Sequence, residues 1–230
     1  ERCRQLWAEG RRFAERHGLL TAGGWGVGAD ALAWLCGLEA SVMMAVDRPE
    51  LLDAILDIVS EWNHWRMETV LDASPDLFVR RAWYEGTDFW SPALYRRFFL
   101  PRLAAEVRLA HEGGAKFAYI LTSGAMAVLD QIVEAGVDVL VGVDPVQGKG
   151  TDMAAMKERT RGKLALWGGV NGFLTVERGT PEGIREAVKL ALDTLGRDGF
   201  ILSPVDNVRD MSEDAWINVR ALVEAWQEMR

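Results

Sequence analysis

Short apolar runs recur along this chain, and a longer helical pattern fills most of the intervals between them. The runs are Leu19–Gly23, Leu77–Ala82, Lys116–Leu121, Val137–Val143, Lys163–Trp167 and Gly199–Leu202. Each is bounded by Gly, Pro or Asp, which suits strands buried on both faces of a parallel sheet. Helices are predicted over Pro49–Val70, Pro92–Glu112, Met126–Ala135, Pro181–Leu195 and Ser212–Met229. Ser91 and Thr180 are N-cap residues followed directly by Pro, and Gly113, Gly136 and Gly196 stand just past the ends. Ile184, Val188, Ala191, Leu192 and Leu195 fall on one helical stripe. Strand followed by helix, repeated, predicts βαβ units and a parallel sheet. Six strands suit a doubly wound sheet and fall two short of a complete (β/α)8 barrel.

Composition removes several function classes. The 230 residues carry 26 basic against 34 acidic side chains, a net charge of −8. Such a chain repels phosphate backbones, so no nucleic-acid partner is expected. Cys3 and Cys36 make no disulfide framework and fit a reducing cytoplasm. There is no signal-peptide pattern and no run of about 18 apolar residues, so no membrane association is expected. Gly24-Trp25-Gly26-Val27-Gly28 lacks the dinucleotide-binding spacing, and Gly148-Lys149-Gly150-Thr151 lacks the upstream Gly of a P-loop. Of the ten tryptophans, Trp62, Trp65, Trp216 and Trp226 lie in helical patterns and are expected to pack. Trp25, Trp83, Trp90 and Trp167 stand at or just past strand ends.

In either parallel architecture the active site lies at the carboxyl ends of the strands. The segments there are Gly24–Gly26, Trp83–Gly86, Thr122–Gly124, Asp144–Gln147, Gly168–Gly172 and Ser203–Asn207. All are also ordinary turn compositions. His17, His64 and His111 fall in helices or at their ends, so neither a zinc-ligand cluster nor a Ser–His–Asp arrangement is expected at this mouth. The acids available are Glu85, Asp144 and Asp206, with Asp88 and Asp210 close behind. Glu85, among Trp83, Tyr84 and Trp90, best fits a carboxyl with a raised pKa. An ion pair with Arg80 or Arg81 is the alternative role for Glu85. Arg80 and Arg81 point to opposite faces of their strand, so only one of them faces the interior.

Ser91-Pro92-Ala93-Leu94-Tyr95-Arg96-Arg97-Phe98-Phe99-Leu100-Pro101 resembles the SP-x-x-Y/F-x-x-F-x-x-P segment of the uroporphyrinogen decarboxylase superfamily. So do Glu134–Leu140, Leu166–Asn171 and Gly199–Ser203, in matching order and spacing. The resemblance implies a single domain over residues 1–230. Its fold would be a (β/α)8 TIM barrel, present as an incomplete barrel of about six strands with an exposed apolar flank. Glu1 would then start inside a helix, with about two βα units preceding it. The implied activity is cofactor-independent decarboxylation of an anionic, porphyrinogen-related small molecule. Two other activities stay open: corrinoid-linked methyl transfer, with a corrinoid protein as partner, and ligand binding without catalysis. Relatives that transfer methyl groups hold zinc with a His-x-Cys pair and a later Cys. The matching positions here are Leu121, Ser123 and the stretch Ser203–Val205, so no metal is expected. The family's Tyr, Ser and His positions fall at Ala33 or Trp34, at Glu85 and at Asp206. Glu85 and Asp206 are expected to handle protons. Trp25, Trp83, Tyr84, Ser123, Asp144, Trp167, Asn171 and Asn207 are expected to bind substrate. The expected setting is cytoplasmic, with a homodimer as a further expectation.

Overall fold

The computed structural model describes residues 2–230, apart from the side chains of Cys3 and Arg4. Glu1 lies outside the described residues, and with it the expectation that the chain enters a helix there. Six strands follow one another along the chain, β1 Ala22–Gly26, β2 Leu77–Arg81, β3 Lys116–Ile120, β4 Val139–Val143, β5 Ala165–Asn171 and β6 Phe200–Val205. Helices alternate with the strands, as expected for an incomplete (β/α)8 barrel. The chain divides into two compact units.

The first unit comprises the residues up to Glu85, Phe89–Ile120 and Glu134–Asp138. It holds β1–β3 with helices α1 Arg2–His17, α2 Ala29–Leu35, α3 Leu38–Asp47, α4 Pro49–Leu71, α5 Pro92–Phe98 and α6 Leu100–Glu112. Its strands pair in parallel, with Phe78 beside Phe117 and Arg80 beside Tyr119. Phe78 and Phe117 stack at 5.8 Å. Leu52, Leu56 and Met67 of α4 and Leu103 and Val107 of α6 are buried in the same core. The helix predicted as Pro92–Glu112 is broken at Phe99, whose ψ is still −41° but whose φ has opened to −107°. Pro101 has no N–H to carry the helical ladder across that point. The first strand also differs from expectation. It begins three residues later than the apolar run, and Leu19 and Leu20 are exposed. Gly23 allows close packing there, because a Cβ would lie 2.8 Å from Val70 and 2.9 Å from Trp7.

The second unit comprises Gly86–Asp88, Leu121–Val133 and Val139–Arg230. Its strands β4–β6 also pair in parallel. Around them lie α8 Met153–Thr160, a π-helix Gly172–Glu177, α9 Pro181–Leu195 and α10 Glu213–Met229, while α7, Leu129–Glu134, follows a 3-10 turn at Met126–Val128. Thr180 caps α9 through Gly183 N at 3.2 Å, and Gly196 ends it with φ 72°. Val170, Val176, Ile184, Val188, Leu222 and Ala225 form the core of this unit.

The tryptophans depart from the sequence reading. Trp62, Trp65, Trp216 and Trp226 are each more than a third exposed, whereas Trp90 is the buried tryptophan. Each of the four sits on a solvent-exposed flank of its helix, which helical periodicity alone does not reveal. No single helix among the described residues is long and apolar enough to cross a membrane. Helices α2 and α3 reach that length only when joined across a 110° bend.

Candidate active site

The site in the first unit starts from the alternation of β2. Arg80 turns to the face covered by α4 and α6, where Asn63 and Glu106 reside, and Arg81 takes the opposite face. There the Arg81 Nε lies 2.7 Å from Asp30 Oδ1. Its guanidinium sits 3.9 Å from the Trp83 ring and 5.0 Å from the Trp34 ring. Both distances are in the range of favourable cation–π contact. Asp30 is fully buried, and Arg81 keeps 17% of its side-chain surface. The Trp83 indole N–H is buried and has no acceptor among the described residues. Burial first, and the negative charge of Glu85 second, push Asp30 up to about 6, with Arg81 opposing. Asp30 thus stands with a raised proton affinity beside a cation that contacts two indole rings.

A buried network fixes the turn that presents Asp30. Glu85 Oε1 accepts from Arg80 Nη2 at 2.7 Å and from Ala29 N, the first residue of α2, at 3.1 Å. Its Oε2 accepts from the Tyr119 hydroxyl, which in turn accepts from Tyr95 at 3.1 Å. Asn63 holds Val27 from both sides of its amide, at 3.2 Å and 2.5 Å, and donates to Glu106 Oε1 at 3.0 Å. Gly28 is required between these anchors. A Cβ there would lie 1.8 Å from Glu85 Oε1 and 2.3 Å from Arg80 Nη2. Burial raises the Glu106 carboxyl and both phenols.

The second unit gathers a different set of polar groups. Asn171 Nδ2 donates to Asp144 Oδ2 at 2.7 Å and to Gln147 Oε1 at 2.8 Å, and Asn171 Oδ1 accepts from Leu174 N at 2.6 Å. Asp144 Oδ1 accepts from Val146 N and Gln147 N. Ser123 Oγ accepts from Lys149 N at 3.3 Å, and Lys149 Nζ lies 3.6 Å from Asp88. Asn171→Ala would leave buried Asp144 Oδ2 without its donor. A loss of about 1–3 kcal/mol is expected in chemical denaturation.

The sequence-predicted residues are thus distributed as follows. Trp83, Tyr84 and Glu85 come together in the first unit, and Ser123, Asp144 and Asn171 in the second. Glu85 has no exposed surface and is ion-paired to Arg80. Its oxygens accept from Arg80, Ala29 N and Tyr119. Asn171 likewise has both ends of its amide engaged. Asp206 is exposed with φ 66°, and its Oδ1 accepts from Asn207 N. Asn207 is exposed, Trp167 is half-buried, and Trp25 is exposed in a left-handed conformation, φ 122°, at the bulge in β1. Sequence reasoning misses Asp30, whereas Trp34 enters it only through the resemblance and Arg81 only as a possible partner of Glu85. The signal was the Gly-rich turn Gly26–Gly28, which ends only two residues before Asp30 once β1 is placed correctly.

A methyltransferase-type zinc does not fit the matching positions. Leu121 offers no donor atom, and Ser123 is engaged by Lys149. Among the described residues no three His, Cys, Asp or Glu side chains come together as a metal-ligand set.

The model of the family described as uroporphyrinogen decarboxylase (URO-D) matches residues 21–229. The chain belongs to the URO-D family. Among its relatives, the uroporphyrinogen decarboxylase of Burkholderia pseudomallei (strain 1106a) is 29% identical over 160 residues, which are 66% of this chain and 40% of that protein. The Burkholderia cenocepacia uroporphyrinogen decarboxylase is 28% identical over the same shares. The chain thus spans 40% of the length of these relatives. Among solved structures, a methyltransferase from Methanosarcina mazei superposes with TM-score 0.75 at 23% identity, over 90% of this chain and 58% of that one. A B12-independent methionine synthase from Shewanella sp. W3-18-1 gives TM-score 0.53 at 13% identity, over 75% of this chain and 54% of that one. At these identities the two structures show the fold alone. In this chain the Asp30–Arg81 pair lies at the start of α2 and the end of β2.

Proposed function

We propose that this URO-D chain serves a carboxy-lyase that removes a carboxyl group from an anionic, porphyrinogen-related small molecule without a cofactor. The observation that carries this reading is Arg81, held by Asp30 and stacked between Trp34 and Trp83. Arg81 is the member of the pair with exposed surface, so a substrate carboxylate meets it first. The free indole N–H of Trp83 is a second donor for that anion. The faces of the two indoles add cation–π attraction that holds the guanidinium in place. In the reaction the bond between the carboxyl carbon and its neighbour breaks and carbon dioxide leaves. The electron pair stays on the substrate carbon, whose own π system stabilises it until a proton arrives. One proton is consumed per turnover. Asp30, with its carboxyl pushed up to about 6 beside Arg81, is the acid that supplies it. Glu85 holds α2 and Tyr119 in place, and exposed Asp206 is kept as a second proton-handling candidate.

Methyl transfer beside a corrinoid protein is a second reading, supported by fold likeness to the Methanosarcina methyltransferase. Incubating the full-length protein with carboxyl-labelled uroporphyrinogen III, and separately with a methylated cobamide and a thiol, separates the two. Labelled carbon dioxide is the expected product. Methylated thiol without carbon dioxide would overturn the proposal.

A further inference from the structure

Five charged groups are packed together in the first unit. Asp30, Glu85 and Glu106 have no exposed surface and Arg80 has 2%. Arg81 is the least enclosed, at 17% of its side chain. With every group ionised, two cations face three anions. A spare charge in a low-dielectric interior is strongly unfavourable, and a carboxyl in that position keeps its proton instead.

The contacts identify which carboxyl is spare. Arg80 Nη2 donates to Glu85 at 2.7 Å, and Glu85 also accepts from Ala29 N and the Tyr119 hydroxyl. Arg81 stands 2.7 Å from Asp30. Glu106 is held differently. Its Oε1 accepts one neutral amide donor, Asn63, at 3.0 Å. Its Oε2 lies 3.4 Å from Arg80 Nη1, the longest of the three charge contacts, against 2.7 Å for each of the other two. An anion beside a guanidinium is drawn into a short, aligned pair. The remaining titratable groups acting on Glu106 are Glu85 and His64 of α4. Burial and Glu85 raise its proton affinity, whereas Arg80, Asn63 and His64 oppose them.

We infer that Glu106 is held as the neutral acid, so that the cluster consists of two ion pairs, Arg80–Glu85 and Arg81–Asp30, with no spare charge. Glu106 is then a positioning residue. It leaves Glu85 as the single anion on Arg80, and so fixes the negative charge that Asp30 feels. Only this last consequence rests on the proposed function.

The test compares full-length wild type with Glu106→Gln, a neutral side chain of the same shape. A neutral Glu106 means that the folded protein holds a proton the unfolded chain releases above about 4.5, the ordinary value. The folding equilibrium constant of wild type then falls relative to Glu106→Gln by up to tenfold per pH unit as pH rises from there. Chemical denaturation from pH 5 to 7 should show the variant gaining at least tenfold. Carbon-13 NMR of Glu-labelled wild type should show one protonated carboxyl at pH 7, which needs no variant to fold. The pH profile of turnover should superpose for the two proteins. A variant that unfolds more easily at all pH values, as after loss of an ion pair, would overturn the inference. So would the absence of a protonated Glu carboxyl. If no turnover is found, denaturation and NMR still decide the state of Glu106, and the failure falls on the proposed function alone.

Discussion

Asp30→Asn is expected to lower kcat of the full-length enzyme by about 10²–10⁴-fold, the range for losing a positioned acid, with KM changed far less. Wild-type turnover should decline as pH rises through about 6, because the protonated carboxyl is the donor. That decline should vanish from the residual activity of Asp30→Asn. The same group has a stability signature. Its proton affinity is raised in the folded protein, from 3.8 to about 6. Asp30 therefore binds more tightly to its proton when folded, and its contribution to stability is present below about pH 4 and lost as pH rises towards 6. The loss is on the order of 2–3 kcal/mol. Asp30→Asn should remove it, and denaturation at pH 4 and pH 7 measures it directly. A variant with wild-type kcat and an unchanged pH profile would remove Asp30 from the chemistry.

Arg80→Ala should have the largest effect on stability. It strips the cation from Glu85, which has no exposed surface, and from Glu106 behind it. Leaving a buried charge without its partner costs about 3–5 kcal/mol, an expected drop that chemical denaturation at pH 7 reads. The damage should extend to α2, since Glu85 anchors Ala29 N and Ala29 precedes Asp30. Protection of the α2 amides from hydrogen exchange should therefore fall more than that of α9, which lies in the second unit. A loss below 1 kcal/mol would mean that Glu85 does not depend on Arg80.

The sequence made some of this arrangement legible and hid the rest for physical reasons. Helix α9 could be read to the residue because Thr180, Pro181 and Gly196 are local signals, and local signals need no partner. β1 could not be read. Gly23, Gly24 and Gly26 carry no apolar pattern, and their strand forms because β2 pairs with them and Val70 and Trp7 close over Gly23. Placing the strand three residues early moved its carboxyl end to Gly24 and put Asp30 out of view. The alternation of Arg80 and Arg81 was visible, but not which of them faces the helices. That depends on Asn63 and Glu106, 17 and 26 positions away in sequence. For Glu85, a catalytic role and an ion pair looked alike from composition, and the 2.7 Å contact to Arg80 favours the pair.

The most direct measurement is labelled carbon dioxide release from carboxyl-labelled uroporphyrinogen III at pH 6, with full-length wild type and Arg81→Gln compared side by side. Arg81 is the exposed member of the central pair, so its loss should lower kcat/KM by about 10²-fold or more, as for a desolvated charged contact worth about 3 kcal/mol. Equal rates of carbon dioxide release from the two proteins would contradict the assignment of this pair as the reacting centre.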